Sequence, residues 1–131
     1  MAAKVVLDTN ALLIPFESGV RLEPELERLF GTYEAIVPEA VMVELARIAS
    51  EEKGQRAANA RMALTLASRF SYRAAGGRGD AAVFEIARKE GAFLFTNDRE
   101  LLARALNAGL GVVRVKGKSH LIVETRQGES R

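Results

Sequence analysis

This 131-residue sequence predicts an α/β fold built on a mainly parallel sheet of four or five strands, covered by helices on both faces. Three observations point to it. Short, β-branched-rich apolar runs alternate along the chain with longer stretches of helical pattern. Several of those runs are apolar at every position, the mark of strands buried on both faces. The composition, 48% hydrophobic and 27% charged, is enough for one domain with a real core.

The elements follow in order. Val5-Val6-Leu7 reads as a first strand ending at Asp8, and Ala11-Leu12-Leu13-Ile14 as a short helix broken at Pro15. Pro24 opens a second helix through Phe30, because proline suits a first turn, and Ala35-Ile36-Val37 is a second strand. Pro38 then starts a helix to about Ser50, Gly54 interrupts, and an alanine-rich helix runs from Arg56 to Phe70. Residues 73–79, with three glycines and two arginines, form the clearest loop. Asp80 heads a helix to about Glu90, stopped by Gly91, and Phe93-Leu94-Phe95 is a third strand leading into Thr96-Asn97-Asp98. A helix to Asn107, a fourth strand at 112–115 and a candidate fifth at 121–123 complete the pattern. Residues 1–124 are expected to form the domain, and the polar tail 125–131 to fray.

Composition removes several chemistries. There is no cysteine and only one histidine, His120, so disulfides, thiolate zinc sites, cysteine nucleophiles and histidine-rich zinc sites are excluded. A metal here must be held by oxygen, which favours Mg²⁺ or Mn²⁺. No apolar stretch approaches the ~20 residues of a membrane span, and the run after Met1-Ala2-Ala3-Lys4 is too short for a secretory signal, so a cytoplasmic protein with no membrane partner is expected. The net charge is only +2, but it is segregated: residues 17–52 hold nine glutamates, whereas 53–78 and 104–118 hold only basic charges. Such segregation can build a basic face for a polyanion.

Only three of seventeen acids are aspartates, Asp8, Asp80 and Asp98, each where an apolar run stops or a helix begins. In an open parallel sheet, functional groups gather at the carboxyl ends of the strands near the point where strand order reverses. That rule brings Asp8 and Asp98 to one edge. It leaves Asp80 elsewhere unless the preceding loop folds over. Glu44 borders the apolar face of its helix at roughly 40° from Ile48, and a carboxylate there needs a partner. Structural duties compete: Asp8, Asp80 and Asp98 suit helix N-caps, Asn97 with Glu100 suits a capping box, and Glu44 can pair with Arg47. Glu39, Glu51 and Glu52 read as solvated.

Four segments carry a resemblance: Val5-Val6-Leu7-Asp8-Thr9-Asn10, Pro38-Glu39-Ala40-Val41-Met42-Val43-Glu44-Leu45, Gly79-Asp80-Ala81-Ala82 and Phe95-Thr96-Asn97-Asp98-Arg99-Glu100-Leu101. In that order the chain, from Val5 to about Glu124, resembles the PIN-domain family of metal-dependent ribonucleases. The resemblance implies a three-layer α/β/α sandwich with Asp8, Glu44, Asp80 and Asp98 as catalytic metal ligands for one or two Mg²⁺ or Mn²⁺ ions. It implies further that Thr96 is the hydroxyl preceding the last acid, that Asn10 orients Asp8 or substrate, and that metal-activated water hydrolyses an RNA phosphodiester. Arg73 and Arg78, on the loop beside Asp80, are then the candidates for gripping RNA, with Lys116, Lys118 and His120 as a second patch and Tyr72 placed to stack on a base. The family includes VapC-type toxins held by an antitoxin and stand-alone RNA-processing endonucleases, and a homodimer is expected from its habit. The segment from Val112 to Val123 looks closer to the ribosomal-RNA-processing branch. A haloacid-dehalogenase-type phosphatase would need an aspartate where Asn10 stands, and a receiver domain would need paired acids that are absent. A catalytically silent RNA-binding or scaffold module of the same fold is the remaining alternative.

Overall fold

In the computed structural model, which describes residues 2–74 and 77–130, the apolar runs join one seven-stranded sheet of order β3-β2-β1-β4-β5-β6-β7. The strands are β1 (Ala3–Leu7), β2 (Tyr33–Pro38), β3 (Ser71–Arg73), β4 (Phe93–Phe95), β5 (Val112–Lys116), β6 (His120–Thr125) and β7 (Gly128–Ser130). The first five run parallel, and β6 and β7 close the far side antiparallel. Val5, Val6, Leu7, Leu94 and Phe95 are wholly buried, as strands covered on both faces require.

Among the described residues six helices do the covering: α1 (Thr9–Ser18), α2 (Leu22–Phe30), α3 (Glu39–Glu51), α4 (Gln55–Ala67), α5 (Gly79–Glu90) and α6 (Arg99–Asn107). Helix α2 reaches from β2 to β6, and α5 lies on β1, β2 and β4. Both span the same central strands, so they occupy opposite faces, which gives the three-layer sandwich. Polar groups also fasten α2 to β6: the Leu121 N–H donates to Glu25 at 2.9 Å, and Arg28 donates to the Leu121 carbonyl at 2.7 Å.

The structure departs from the sequence reading in four places. Pro15 does not break α1, which continues to Ser18 before Gly19 caps it in the left-handed region at φ 76°. Proline removes one N–H, while the buried run Ala11 to Ile14 holds the helix through its packing. Pro38 ends β2 and caps α3 instead of sitting inside the helix. Ser71 and Tyr72 carry no element in the sequence reading and Arg73 opens its loop; three residues are too few for a period-2 signal, yet pairing with β2 makes them a strand. The tail expected to fray turns back so that β7 pairs with β6, raising the strand count to seven.

One packing detail is severe enough to test. A Cβ on Gly111 would lie 2.5 Å from the Phe93 ring, which rests against Phe30 with centroids 4.8 Å apart. Gly111→Ala must therefore displace a packed aromatic pair. A loss of about 1–3 kcal/mol of stability is expected, read from urea denaturation.

Candidate metal centre and substrate pocket

Strand order reverses between β1 and β4, the two strands that lie side by side although five helices and two strands separate them in sequence. The backbone ladder extends one step past β1, the Asp8 N–H donating to the Phe95 carbonyl at 3.2 Å. That register sets Asp8 beside Thr96. Asp8 is 6% exposed and Thr96 not at all. The Thr96 hydroxyl donates to the Asp8 carboxylate and accepts the Asp98 N–H at 3.0 Å, linking two acids through one buried group.

Both acids also cap helices. Asp8 Oδ1 accepts the Ala11 N–H at 2.7 Å, and Asp98 Oδ1 accepts those of Glu100 and Leu101 at 2.9 and 3.2 Å. Capping and site membership therefore coexist, each helix start holding its own carboxylate in place. The capping box expected from Asn97 does not form: the Asn97 side chain accepts the Val115 N–H at 3.1 Å and ties the loop to β5.

Asp80 reaches the same edge because of β3. A helix that follows a parallel strand starts at that strand's carboxyl end, so α5 begins there and puts Asp80 in its first turn. Sequence reading lacked this strand and so lacked the reason. The four acids Asp8, Glu44, Asp80 and Asp98 line one pocket of about 910 Å³ together with Asn10, Arg56 and Arg78.

Charge and burial act together on Asp8. Removal from water first, and the charges of Asp80 and Asp98 after it, push its carboxyl up to about 6 against the Thr96 and Ala11 hydrogen bonds. Glu44 is in a different state. Arg47 holds it bidentately at 3.0 and 3.1 Å and keeps its carboxyl below the usual range. As the side chains lie, no three acidic or histidine groups among the described residues are gathered tightly enough to hold an ion. The donor set nonetheless fits a hard divalent cation: the oxygens are carboxylates, and Asp8 feels the repulsion of Asp80 and Asp98 that such a cation would relieve. A cation drawing on Glu44 would share its oxygens with Arg47.

The basic candidates divide. Arg78 lines the pocket from the N-cap of α5, whereas Ala75 and Gly76 of its loop lie outside the described residues. Arg73 is turned away from the pocket. It bonds Glu90 at 2.7 and 3.0 Å and Glu34 at 3.3 Å, pinning β3 to the end of α5. An Arg73→Ala variant should lose about 1 kcal/mol of stability while the salt dependence of nucleic-acid binding stays unchanged, as a strut and not a phosphate contact requires. Tyr72 is exposed on the edge strand β3. Lys116 and Lys118 stand at the β5–β6 turn outside the pocket lining, and His120 Nδ1 lies 3.8 Å from Glu25. Sequence reading missed Arg56 and Glu39, both of which line the pocket, because nothing in their local pattern distinguishes them from solvated helix residues.

Comparison with known proteins agrees with this geometry. The family model described as a PIN like domain matches residues 5–118. Ribonuclease VapC9 of Archaeoglobus fulgidus is 31% identical over 119 residues, 91% of this chain and 87% of that protein. The PIN domain endonuclease Utp24 aligns with a TM-score of 0.75 at 21% identity, covering 92% of this chain and 90% of its own. A domain of a functionally unknown protein from Methanocaldococcus jannaschii aligns at 0.62 with 22% identity, over 88% and 93% of the two chains. At such identities these two structures speak to the fold.

Proposed function

The chain belongs to the PIN-domain ribonuclease family, and from that premise we propose that it is a Mg²⁺- or Mn²⁺-dependent endoribonuclease. The observation that carries the reading is the convergence of Asp8, Glu44, Asp80 and Asp98 on one pocket at the reversal of strand order. These four would hold the cation, which when bound supplies an activated water and neutralises charge on the phosphate.

The chain's own groups prepare that chemistry. Asp8 is held by the Ala11 N–H and the Thr96 hydroxyl, so its carboxylate cannot swing away from the pocket. Asp98 is fixed by its own helix, and Thr96 couples the two. Asn10, on the first turn of α1, faces the same pocket and is placed to orient substrate. Arg78 offsets the repulsion that four carboxylates present to an incoming polyanion.

RNA as substrate rests on the likeness to Ribonuclease VapC9. Two roles fit the chemistry, a VapC-type toxin restrained by an antitoxin and a stand-alone RNA-processing nuclease. Copurification of a small antitoxin with the tagged chain separates them. The central test is to express the wild-type and Asp8→Asn proteins and sequence the RNA ends each leaves. Mn²⁺-dependent new ends from the wild type alone are expected. RNA binding with no cleavage by the wild type would instead make the domain a silent RNA-binding module.

A further inference from the structure

We infer that the wall of the pocket built by α3 and α4 is a binding subsite for one nucleotide of a single-stranded substrate, with its phosphate on Arg56 and its base against Val43. This rests on the nuclease reading above and adds where the strand lies.

The first observation is the placement of cations. Arg56 and Arg78 line the pocket, Arg56 from α4 and Arg78 from the start of α5. Helix α3 packs against both α4 and α5, so the two arginines enter the pocket from the two neighbours of α3, with the four acids in the same lining. A strand lying in the pocket therefore has a cation to meet on each of two elements beside the acids. Arg56 is also held in place: Nε lies 3.0 Å from Glu52 and Nη1 3.5 Å from Glu17, which anchors it to the ends of α3 and α1. The two carboxylates orient the guanidinium itself, and because both pairs are part-exposed a phosphate can exchange with one of them; Arg73, paired in the same way, lies outside the pocket lining.

The second observation is independent of charge. Val43 is 61% exposed, lines the pocket, and precedes Glu44 directly on α3. Helix propensity disfavours a β-branched residue at a solvent-facing position, and the core gains nothing from it. Single exposed apolar residues are common on protein surfaces, but this one shares a pocket with an arginine fixed by two carboxylates. An exposed apolar side chain gives an unstacked base a surface on which to leave water, and the cation in the same pocket can meet its phosphate. A duplex keeps its bases stacked inside and cannot make that contact.

The test uses the full chain carrying Asp8→Asn, which binds without cutting, and a short fluorescein-labelled oligouridylate followed by anisotropy across a salt series. Adding Arg56→Gln should weaken binding about fivefold near 0.1 M salt and reduce the slope of log affinity against log salt by about 0.7, the loss of one phosphate contact on a single strand. Arg56→Lys should restore the slope. Val43→Ser, at an exposed position that folding does not depend on, should weaken binding about threefold with the slope unchanged. If the parent binds and either Arg56→Gln leaves the slope intact or Val43→Ser leaves the affinity intact, the subsite is overturned and the nuclease reading survives. If the parent shows no salt-sensitive binding and the wild type leaves no new RNA ends, both fall together.

Discussion

Asp8→Asn is expected to lower RNA cleavage at least about a hundredfold while making the metal-free protein more stable. The two effects have one cause. The Asp8 carboxyl is harder to ionise in the folded chain than in the unfolded one, its pKa moving from 3.8 to about 6 through burial first and the charges of Asp80 and Asp98 after. The folded state therefore holds the proton more tightly. Stability from this group is highest below pH 4, falls as the pH rises through 6, and carries the full penalty above. At 1.36 kcal/mol per unit that penalty is about 3 kcal/mol. Asparagine keeps an oxygen for the Ala11 N–H and has no charge to bury. Urea denaturation in EDTA at pH 7.5 should show the variant more stable by up to that amount, and the gap should close at pH 4. Adding Mn²⁺ should stabilise the wild type and leave the variant unmoved. A variant less stable than wild type at neutral pH would mean that Asp8 is held by interactions stronger than the repulsion.

Thr96→Val should carry the second-largest effect although Thr96 is no ligand in the proposed set. The hydroxyl is fully buried and serves two partners, donating to Asp8 and accepting the Asp98 N–H. Valine has nearly the same shape and neither function. The Asp98 N–H loses its acceptor, at a cost of about 1–3 kcal/mol seen in denaturant melts. Asp8 loses the donor that favours its ionised form, so its carboxyl rises further from the usual range and protons compete longer with a cation. The acid limb of the pH–rate profile should move to higher pH, with cleavage at pH 6 falling more than cleavage at pH 8. Thr96→Ser should restore both. An unchanged acid limb would show that Thr96 has a packing role alone.

The place of Asp8 and Asp98 on one sheet edge was legible because Asp8 directly follows, and Asp98 lies just past, a strand that periodicity could find, and strands in a parallel sheet deliver their ends to one edge. Asp80 was not. Its position depends on β3, three residues whose strand character comes from pairing with β2 and not from any pattern of their own. Arg73 shows the opposite failure: its place beside a glycine-rich loop suggested a free guanidinium, whereas Glu34 and Glu90, distant in sequence, draw it into the scaffold. Arg56 lay inside a basic run whose members sequence alone does not tell apart, and the packing of α4 against α3 brings it to the pocket that the acids line.

The sequence by itself determined what the pocket is made of. The absence of cysteine and the single histidine restrict any metal there to oxygen ligands, and alternation of apolar runs with helical stretches restricts the fold to a layered parallel sheet. The tertiary structure alone decided which charges meet. It put Asp80 beside Asp8, gave both oxygens of Glu44 to Arg47, and divided the arginines between scaffold and pocket. The physical reason is range. Backbone pattern and burial are written in neighbouring residues, whereas a salt bridge depends on groups that only the folded chain brings within a few ångströms.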